Sequence, residues 1–554
     1  MLAYRTAARS VRDASRSVAA LAREGRAGEL PGIGKTLQEK ILAFVSTGTI
    51  PATERLRERF PPGLVEITRL PGIGAKRARR LHDELGIDSP AALREAALAQ
   101  RLRAVKGFGP KFEEGVLRVL QAPAKAPEHR RVLLPSALEL AEAIAAGLRE
   151  HGPADAEVHL AGSIRRSVDA VKDIDVVAVT AQPQALAGCL ARLEQIETSS
   201  AASVTGTRGR THSGLSVDLR VALPAMRGNL LQHFSGSGPH NAALREAAVK
   251  LGLHVSEHGI EDAGGVVRAC AGEEEVYAAL GRAWIPPELR EDRGEVAASL
   301  LAGGGGLPEL VRESDVRGDL HCHTVASDGG ASIEEMARAA QARGYEYLAI
   351  TDHSASHGFG NAVSPDELRR QIERVRTCAG QLDAFRLLCG SEVNVLPDGS
   401  LDYDDELLAQ LDWVLASVHT AFSMSEAEMT RRMIAAIEHP LVDAIGHPTG
   451  RLIERREPYA LDFEQIFAAA AASGTLLEIN GNPARRDLSE LHARAAAQAG
   501  VTLVIDSDAH LPETLANMRW GVATARRAWL TKAAVANTRG WDELQALRKR
   551  RRAG

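Results

Sequence analysis

The stretch LHCHTVASDG, residues 320–329, places His321 and His323 two positions apart and Asp328 five residues later. Two imidazoles so close together, after an apolar run, are costly to place in a core unless they bind something. Later segments repeat the arrangement of a short apolar run followed by histidine or carboxylate: TDHS with His353, GSEV with Glu392, SVHT with His419, IGHP with His447, and IDSDAH with Asp508 and His510. Each side chain thus lies near the C-terminal end of a predicted strand, where the active sites of β/α barrels are found.

Together these nine side chains predict a metal centre. A lone buried histidine is usually a satisfied polar group, but nine His, Asp and Glu residues at successive strand ends are hard to explain in that way. Imidazole and carboxylate ligands together suit Zn²⁺, Mn²⁺ or Fe²⁺. The ligands are too many for one ion, so a bridging glutamate and up to about three ions fit the set. From about residue 313, short apolar strands alternate with alanine-rich helices, which favours a β/α barrel.

A second group of carboxylates lies upstream. In LAGSIRRSVDAVKDIDVVAV, residues 160–179, a strand and a Gly-Ser turn lead to a second strand that carries Asp173 and Asp175. Their spacing puts both carboxylates on one face of the strand. The strand SGLSVDLRV, residues 213–221, carries a lone Asp218 among apolar neighbours. If the two strands pair, the carboxylates converge and require divalent cations; the alternative is solvent-facing aspartates on an edge strand.

Three related segments occupy the front of the chain: LPGIGKTLQEKI (30–41), LPGIGAKRARRL (70–81) and VKGFGPKFEEGV (105–116). In each, a G-x-G turn precedes a helical pattern, with the glycines Gly32 and Gly34, Gly72 and Gly74, and Gly107 and Gly109. Such glycines expose N–H groups at a helix start, which can bind phosphate. Residues 1–130 hold 24 Lys and Arg against 14 Asp and Glu, a net +10 in a chain of net −5. The segments resemble helix-hairpin-helix motifs and predict binding to the DNA backbone.

Composition bounds the remaining possibilities. At 554 residues the chain should divide into several domains. No apolar run approaches the ~20 residues that span a bilayer, and the start lacks a secretory signal. The five scattered cysteines form no C-x-x-C pair, which favours a reducing cytoplasm. We interpret QAPAKAP (121–127) and LAGGGG (301–306) as linkers, and RKRRRAG (548–554) as a frayed basic tail.

The order GS-x-RR, D-x-D and HFSGSGPHNAALREAA (233–248), behind three hairpins, resembles the family X DNA polymerases, the group that contains DNA polymerase beta. The resemblance covers nearly all of the first 300 residues. It implies that Asp173, Asp175 and Asp218 are catalytic and bind two Mg²⁺ or Mn²⁺ ions. It also implies a nucleotide-binding set consisting of Gly162, Ser163, Arg166, Phe234, Gly236 and Asn241.

Some features depart from the family pattern. His233-Phe234 stands where the family usually has Tyr-Phe, and TGTRGRTHSG (205–214) is shorter than the strand pair expected before the third aspartate. The front begins at LAYRTAA, which resembles the second helix of the family's lyase domain. The first helix is therefore either absent or lost to a start codon assigned too late.

The same lyase domain can carry a Schiff-base lysine that removes 5′-deoxyribose phosphate. Lys40 falls at the matching position and is our candidate for that catalytic lysine, with Tyr4 at the position of a neighbouring tyrosine. The helper lysines of the family are replaced by Thr36 and Ala52. We therefore predict that Lys40 mainly contacts DNA phosphate and that lyase activity is weak at most.

The C-terminal pattern resembles the PHP (polymerase and histidinol phosphatase) domain, with all nine expected ligands present. Such domains hydrolyse phosphoesters. The resemblance implies one ion held by His321, His323, Glu392 and Asp508, with Glu392 bridging to an ion on His419; Asp328, His353, His447 and His510 complete the cluster. Arg451, just after HPTG, is expected either to meet substrate phosphate or to be solvent-exposed.

We therefore expect a multidomain α/β protein with a helix-hairpin-helix front, a nucleotidyltransferase palm with a thumb, and a C-terminal distorted β/α barrel. The expected bounds are a truncated lyase-like domain at 1–50, a fingers-like region at 51–125, the palm at 126–225, the thumb at 226–297, a Gly-rich linker at 298–312 and the PHP domain at 313–554.

The expected function is a monomeric DNA repair polymerase that binds DNA with gaps or abasic sites and adds dNTPs at short gaps in base excision repair, on the nucleoid in the cytoplasm. Its PHP domain would act as a 3′–5′ exonuclease, process blocked 3′ ends or cut at abasic sites. Two alternatives stay open. The polymerase half, with His233, could be a weak or inactive DNA-binding scaffold for a nuclease. The PHP half could be a tethered small-molecule phosphatase.

Overall fold

A computed structural model describes residues 2–14, 16–57, 60–68, 70, 72–121, 131–303, 305–358 and 360–548. The predicted Pro/Ala linker after Gln121 and the basic tail after Arg548 lie outside these residues. The chain divides into two compact units, one of 1–130 with 194–197 and 210–215, the other of 131–193, 198–209 and 216–554. Within the described residues, no helix combines the length and the apolar character that crossing a membrane demands.

The first unit is helical, as its sequence predicts. Its helices are α1 (Leu2–Asp13), α2 (Val18–Arg23), α3 (Lys35–Thr47), α4 (Pro51–Arg57), α5 (Pro62–Ile67), α6 (Ala75–Leu85), α7 (Pro90–Leu98) and α8 (Pro110–Gln121). Helices α3, α6 and α8 each begin directly after a G-x-G turn. The first glycine of each turn has a left-handed φ, +74° at Gly32, +80° at Gly72 and +91° at Gly107, which a residue with a Cβ adopts only with strain.

The second unit begins with an α/β layer that corresponds to the predicted palm. Its elements are β1 (Val132–Leu133), α9 (Leu134–His151), β2 (Glu157–Leu160), α10 (Gly162–Arg165), β3 (Ala170–Val171), β4 (Asp173–Val179), α11 (Pro183–Cys189), β5 (Ile196–Ser199), β6 (Gly206–Thr211) and β7 (Ser216–Ala222). The main sheet has the order β2-β4-β7-β6-β5. Strand β4 pairs in parallel with β7, which confirms the predicted pairing, and the segment 205–214, which is shorter than the expected strand pair, contains the single strand β6.

A small mixed layer follows, at the position of the predicted thumb. It consists of α12 (Arg227–Ser235), α13 (Gly238–Val249), β8 (His254–Ser256), β9 (Gly259–Glu261), β10 (Val267–Arg268), α14 (Glu273–Ala279) and α15 (Glu295–Ala298). Its core contains a buried polar link in which His240 lies 2.7 Å from Glu295 and 2.9 Å from the Tyr277 hydroxyl. In the glycine-rich segment that follows, the N–H groups of Leu301 and Gly306 donate to carbonyls of this layer.

The remainder forms an α/β barrel of seven parallel strands in sequential order. The strands are β11 (Gly318–Cys322), β12 (Tyr347–Ile350), β13 (Arg386–Asn394), β14 (Trp413–Ser417), β15 (Ala444–Ile445), β16 (Leu476–Asn480) and β17 (Leu503–Asp506). A parallel bridge between Cys322 and Ala509 joins the first strand to the segment after the last, so the barrel is nearly closed. This confirms the predicted distorted β/α barrel.

Helices cover the outside of the barrel. They are α16 (Ile333–Ala342), α17 (Pro365–Ala379), α18 (Asp405–Leu408), α19 (Glu426–Glu438), α20 (Phe463–Ser473), α21 (Glu490–Gln498), α22 (Met518–Arg527) and α23 (Trp541–Leu547). Helices α16, α17 and α19 each begin with a Ser-x-x-Glu capping box, the first of them formed by Ser332 and Glu335. Such a box satisfies N–H groups that the first turn of a helix leaves without partners, so these helix starts are encoded locally.

Candidate active sites

The three aspartates of the α/β layer converge on one face of its sheet. Asp175 on β4 is the register partner of Asp218 on β7, and Asp173 lies two residues away on the same face of β4. The Gly-Ser turn at the start of α10 packs directly on them, because a Cβ added to Gly162 would lie 1.8 Å from Asp175 Oδ2. Gly162 also has φ +58°, so glycine is required there on two counts.

Charge and burial in this cluster fit divalent cations. Burial, together with the nearby carboxylates of Asp173 and Asp218, raises the pKa of Asp175 to about 7. Asp218 is balanced by two arginines, with Arg220 Nε 2.8 Å and Arg208 Nε 3.4 Å from its oxygens. Carboxylates forced together in this way are stabilised by a proton or by a cation.

The pKa of Asp175 predicts a pH dependence of metal binding. A proton and a cation compete for the same oxygens, so we expect the affinity of this site for Mn²⁺ to fall about tenfold for each pH unit below 7. Because the pKa is raised in the folded state, protonated Asp175 stabilises the metal-free fold at low pH, and this contribution is lost as the pH rises toward 7. The Mn²⁺ concentration that gives half-maximal nucleotide addition should therefore rise steeply from about pH 8 to about pH 6. A constant value would contradict a titrating Asp175.

Three residues of the predicted nucleotide set lie beside this cluster. The buried Ser163 Oγ has no hydrogen-bond partner among the described residues, as expected of a group that receives a ligand. Arg166 is paired with Glu291, Nε to Oε1 at 3.1 Å, and donates to the Ser235 carbonyl at 2.5 Å. A Cβ on Gly236 would lie 3.1 Å from Arg166 Nη1, so this glycine leaves the arginine room.

The remaining members of the set occupy α12 and α13. Arg220 lies over the ring of Phe234, with its Cζ 5.2 Å from the ring centre. The side chain of Asn241 donates to the His233 carbonyl at 2.7 Å and accepts from Gln232 at 2.9 Å, so its amide fixes the end of α12. The ring of His233, at the position of the expected tyrosine, lies against Phe234 with ring centres 5.0 Å apart.

In the barrel, all nine predicted side chains converge at the C-terminal ends of the strands. Glu392 is at the centre, and its carboxylate oxygens lie within hydrogen-bonding or ion-pair distance of several imidazoles: His447 at 2.7 Å, His353 at 2.9 Å, His419 at 3.2 Å, His321 at 3.4 Å and His323 at 3.6 Å. Asp328 lies 3.3 Å from His510 and 3.6 Å from His353, and Asp508 lies 3.4 Å from His323. These distances leave room for ligand atoms to share cations.

The ligand atoms fall into three groups of the size that metal ions require. Among the described residues these are His321, His323 and Asp508; His353, Glu392 and His419; and His323, Asp328, His353 and His510, with the ligand atoms of each group within 4.8 Å of one another. The donors are imidazole and carboxylate, which suit Mn²⁺, Zn²⁺ or Fe²⁺. The residues therefore fit a cluster of up to about three ions.

Burial and close charges strongly shift the pKa values of the side chains in this centre. Burial opposes ionisation of Glu392, but His353, His419 and His321 outweigh it and hold its pKa well below its usual range. Burial likewise opposes the charged form of His353, yet Glu392 and Asp328 raise the pKa of that histidine to about 10. Burial, reinforced by Arg485, lowers the pKa of His447 to about 3 and keeps it neutral, as a metal ligand must be.

Sequence reasoning missed several residues that support this centre. Glu478 on β16 lies 2.6 Å from His321 Nδ1, so it orients that ring, and it accepts from the backbone N–H of His447 at 2.5 Å. Arg485 Nε lies 3.4 Å from Asp508 Oδ2 and brings positive charge to the rim. Glu478 could have been found, because a carboxylate inside the apolar strand LLEIN is unusual. Nothing in the local sequence distinguishes Arg485.

Arg451 differs from its expectation. It was expected to meet substrate phosphate or solvent, but its guanidinium is mostly buried and donates to Asp169 Oδ2 at 2.7 Å and to the Arg485 carbonyl at 2.8 Å. Asp169 lies in the palm, 282 residues earlier. Local sequence reasoning cannot find a partner at that separation.

In the helical unit, Lys40 lies on α3 and donates a hydrogen bond to the Tyr4 hydroxyl. Its Nζ is also 4.9 Å from the centre of the Tyr4 ring. The two residues that the resemblance pairs are thus neighbours. The glycines Gly34, Gly74 and Gly109 immediately precede helices α3, α6 and α8.

Comparisons with known protein families match three parts of the chain. Three family models match: a SAM-like helix-hairpin-helix tandem at residues 64–121, the DNA polymerase beta thumb at residues 230–291 and the PHP domain at residues 319–482. The chain is 37% identical over 529 residues to the DNA polymerase/3'-5' exonuclease PolX of Bacillus subtilis, covering 94% of this chain and 90% of that protein.

Other relatives match a smaller share of the chain. A probable phosphatase of a Thermoanaerobacter species is 31% identical over 238 residues, which is 40% of this chain and 89% of that protein. A probable phosphatase of Acetivibrio thermocellus is 34% identical over 202 residues, 35% of this chain and 79% of that protein.

Fold and sites together define a two-centre phosphoryl-transfer protein: a nucleotidyltransferase-type layer with helix-hairpin-helix motifs, joined to a PHP barrel. More specifically, the chain belongs to the PolX family, the family X DNA polymerases that carry a C-terminal PHP domain.

Proposed function

We propose that the protein is a DNA repair enzyme that adds deoxynucleotides at short gaps and removes nucleotides from 3′ ends at a separate centre. The observation that carries the proposal is the presence of two separate acidic centres, one around Asp175 and Asp218 and the other around Glu392. The name of the Bacillus subtilis relative, a polymerase and 3'-5' exonuclease, supports both halves.

In the palm, we assign Asp173, Asp175 and Asp218 as ligands of two Mg²⁺ or Mn²⁺ ions. Such ions supply Lewis-acid activation of the primer 3′-hydroxyl and neutralise charge on the leaving pyrophosphate. Ser163, whose hydroxyl is buried beside the cluster, and Arg166 would hold the triphosphate. Gly162 brings the turn into contact with Asp175, and Phe234, Gly236 and Asn241 would border the sugar and base.

In the barrel, we assign the nine converging side chains as ligands of up to about three Mn²⁺, Zn²⁺ or Fe²⁺ ions. These ions supply the Lewis-acid chemistry of phosphodiester hydrolysis. Glu478 fixes the tautomer and orientation of His321 through Nδ1, and Arg485 offers positive charge to a DNA phosphate at the rim. Its substrates would be 3′ ends, blocked 3′ termini and abasic sites.

The helix-hairpin-helix glycines Gly32, Gly34, Gly72, Gly74, Gly107 and Gly109 would bind the DNA backbone. The tandem match at 64–121 supports this for the last four of them. We retain the proposed domain bounds of 1–50, 51–125, 126–225, 226–297, 298–312 and 313–554. We further propose a monomer that acts in base excision repair on nucleoid DNA in the cytoplasm, consistent with five free and buried cysteines.

The function is tested with a 5′-labelled primer on a one-nucleotide gap, with Mn²⁺, in the presence and absence of dNTPs. The wild-type protein should lengthen the primer with dNTPs and shorten it without them. Asp173→Ala should lose only lengthening, and His321→Ala only shortening. Shortening without any lengthening would leave a nuclease with a polymerase-like scaffold. Hydrolysis of p-nitrophenyl phosphate in preference to DNA would favour a tethered phosphatase.

Lys40 gives a separate prediction. We propose that it contacts DNA phosphate, because the helper lysines of the lyase domain are replaced by Thr36 and Ala52. Borohydride trapping on a 5′-deoxyribose phosphate end should therefore give only a weak adduct, whereas Lys40→Ala should weaken binding to gapped DNA severalfold. Lys35→Ala, on the same helix, is the matched control for loss of charge. A strong adduct that disappears in Lys40→Ala would instead make Lys40 the Schiff-base lysine.

A further inference from the structure

The turn at residues 166–169, directly after the Gly-Ser helix α10, is held by arginines from the barrel. We call Arg451, Arg486 and Arg527 the arginine clamp. Their side chains are 17%, 0% and 4% exposed, so the contacts are largely shielded from water. Arg451 follows the strand-end ligand His447 by four residues, and Arg527 ends helix α22.

Asp169 is the charged anchor of the turn. Its Oδ2 accepts from Arg451 at 2.7 Å, and its Oδ1 lies 3.1 Å from Arg486 Nη1. The same Arg486 nitrogen donates to the Ser167 carbonyl at 3.0 Å. Removing one partner from such a shielded charge network leaves the other charge without compensation, which is far more costly than breaking a surface pair.

Arg527 holds the N-terminal part of the turn. It donates to the Arg166 carbonyl at 2.7 Å and to Glu291 at 2.9 Å. Glu291 in turn accepts from Arg166 Nε at 3.1 Å. The side chain and the backbone of Arg166 are therefore both fixed through Arg527, directly or through one carboxylate.

The backbone of the turn requires such support. Ser167 has φ +57°, a left-handed conformation that is costly for a residue other than glycine. Arg486, which binds the Ser167 carbonyl, is itself left-handed at φ +44°. Strained residues of this kind persist only where surrounding contacts hold them, and the clamp provides those contacts on both sides.

The position of this turn sets the polymerase site. Gly162 and Ser163, only a few residues before it, lie against Asp175 and beside the proposed triphosphate position, and Arg166 belongs to both the turn and the proposed nucleotide set. A shift of about 1 Å in such a group can cost as much as a hundredfold in rate.

We propose that Arg451, Arg486 and Arg527 are positioning residues for nucleotide binding. Through them, the barrel determines the geometry of the nucleotide site in the palm. The inference rests on the proposed polymerase function and adds a role for the barrel beyond hydrolysis. The clamp also contacts the rim of the hydrolytic centre. Arg451 donates a hydrogen bond to the carbonyl of Arg485, and the side chain of Arg485 lies near Asp508.

The test uses the full-length protein and its Asp169→Asn, Arg451→Gln, Arg451→Lys and doubly substituted Asp169→Asn/Arg451→Gln forms. Each is measured for binding of a fluorescent dATP analogue, for KM and kcat in gap filling, and for primer shortening. Arg312→Gln, which breaks an exposed ion pair with Glu309, is the matched control. The substitution Asp169→Asn is nearly isosteric, so among these variants it should disturb the fold least.

Asp169→Asn and Arg451→Gln should each raise the dNTP Kd and KM about tenfold, with kcat changed much less. In the double variant, the rise in Kd and KM should be clearly smaller than the roughly hundredfold rise that two independent tenfold effects would give, because the two residues act through one contact. Arg451→Lys should recover part of the loss, and Asp169→Asn should keep primer shortening within about twofold.

Two outcomes would overturn the proposed role of the clamp. One is an unchanged nucleotide affinity in Asp169→Asn. The other is a parallel fall in the kcat of gap filling, in primer shortening and in thermal stability, which would indicate structural support alone. A wild-type protein that neither binds the dATP analogue nor fills gaps would instead overturn the polymerase function, and the clamp's role with it. The wild-type and variant measurements therefore separate the two failures.

Discussion

Asp175→Asn should reduce nucleotide addition at least about a thousandfold, because a cation-binding carboxylate contributes several kcal/mol of transition-state stabilisation. Asp175 is the register partner of Asp218 and lies against the Gly-Ser turn, so the substitution removes charge from the centre of the cluster. Primer shortening should stay within about twofold, since the hydrolytic ligands belong to another sheet.

Extension of a labelled primer across a one-nucleotide gap measures the effect. Asp155→Asn, which changes an exposed palm carboxylate that only caps Thr180 and Ala181, is the matched control and should keep full activity. The metal-free Asp175→Asn protein should melt no lower than wild type above about pH 7, because the substitution removes a buried charge with a raised pKa. Residual synthesis above about a tenth of wild type would contradict the assigned role.

Glu392→Gln should reduce primer shortening at least about a thousandfold while nucleotide addition continues. Glu392 is fully surrounded by imidazoles, the nearest being His447 at 2.7 Å and His353 at 2.9 Å. An amide in its place offers one weaker oxygen ligand and no negative charge, so cations bound among these histidines would lose a carboxylate ligand.

The measurements are primer shortening without dNTPs and the metal content of the purified protein. Bound transition metal should fall together with hydrolysis. Glu406→Gln, an exposed glutamate of helix α18, is the matched control for both readouts. If Glu392→Gln still shortened the primer, the nuclease would have to lie outside the barrel centre.

The convergence of the proposed barrel ligands could be predicted from the sequence because β/α topology gathers strand ends at one rim. Each ligand follows a short apolar run, so a local pattern was enough to predict a collective site. Glu478 could be predicted by the same pattern, since its strand carries Glu-Ile-Asn where the strand of Glu392 carries Glu-Val-Asn. The two glutamates occupy the same position within their strands, yet Glu478 orients the ring of His321, while Glu392 lies among several imidazoles.

The convergence of the palm aspartates could be predicted equally well, because alternation along β4 places Asp173 and Asp175 on one face. The register of β4 and β7 brings Asp218 opposite Asp175. The arginine clamp could not be predicted from the sequence. Its pairs join residues up to 361 positions apart, and they depend on how two layers of one unit pack. Arginine spacing carries no signal for such contacts, so Arg451 was assigned to phosphate or solvent.

The nearly closed barrel has a consequence for how this protein acquires activity. Its first strand provides His321 and His323, and Asp508 and His510 follow its last strand, so the two ends of one ligand set are made at opposite ends of the domain. The Leu320 N–H reaches Asp506 across 186 residues and the Ser507 N–H reaches Asp319 across 188. Contacts at such sequence separation form late in folding. During synthesis, the nuclease should therefore remain silent until the last strand has left the ribosome, so that incomplete chains cannot degrade the DNA they are made to repair.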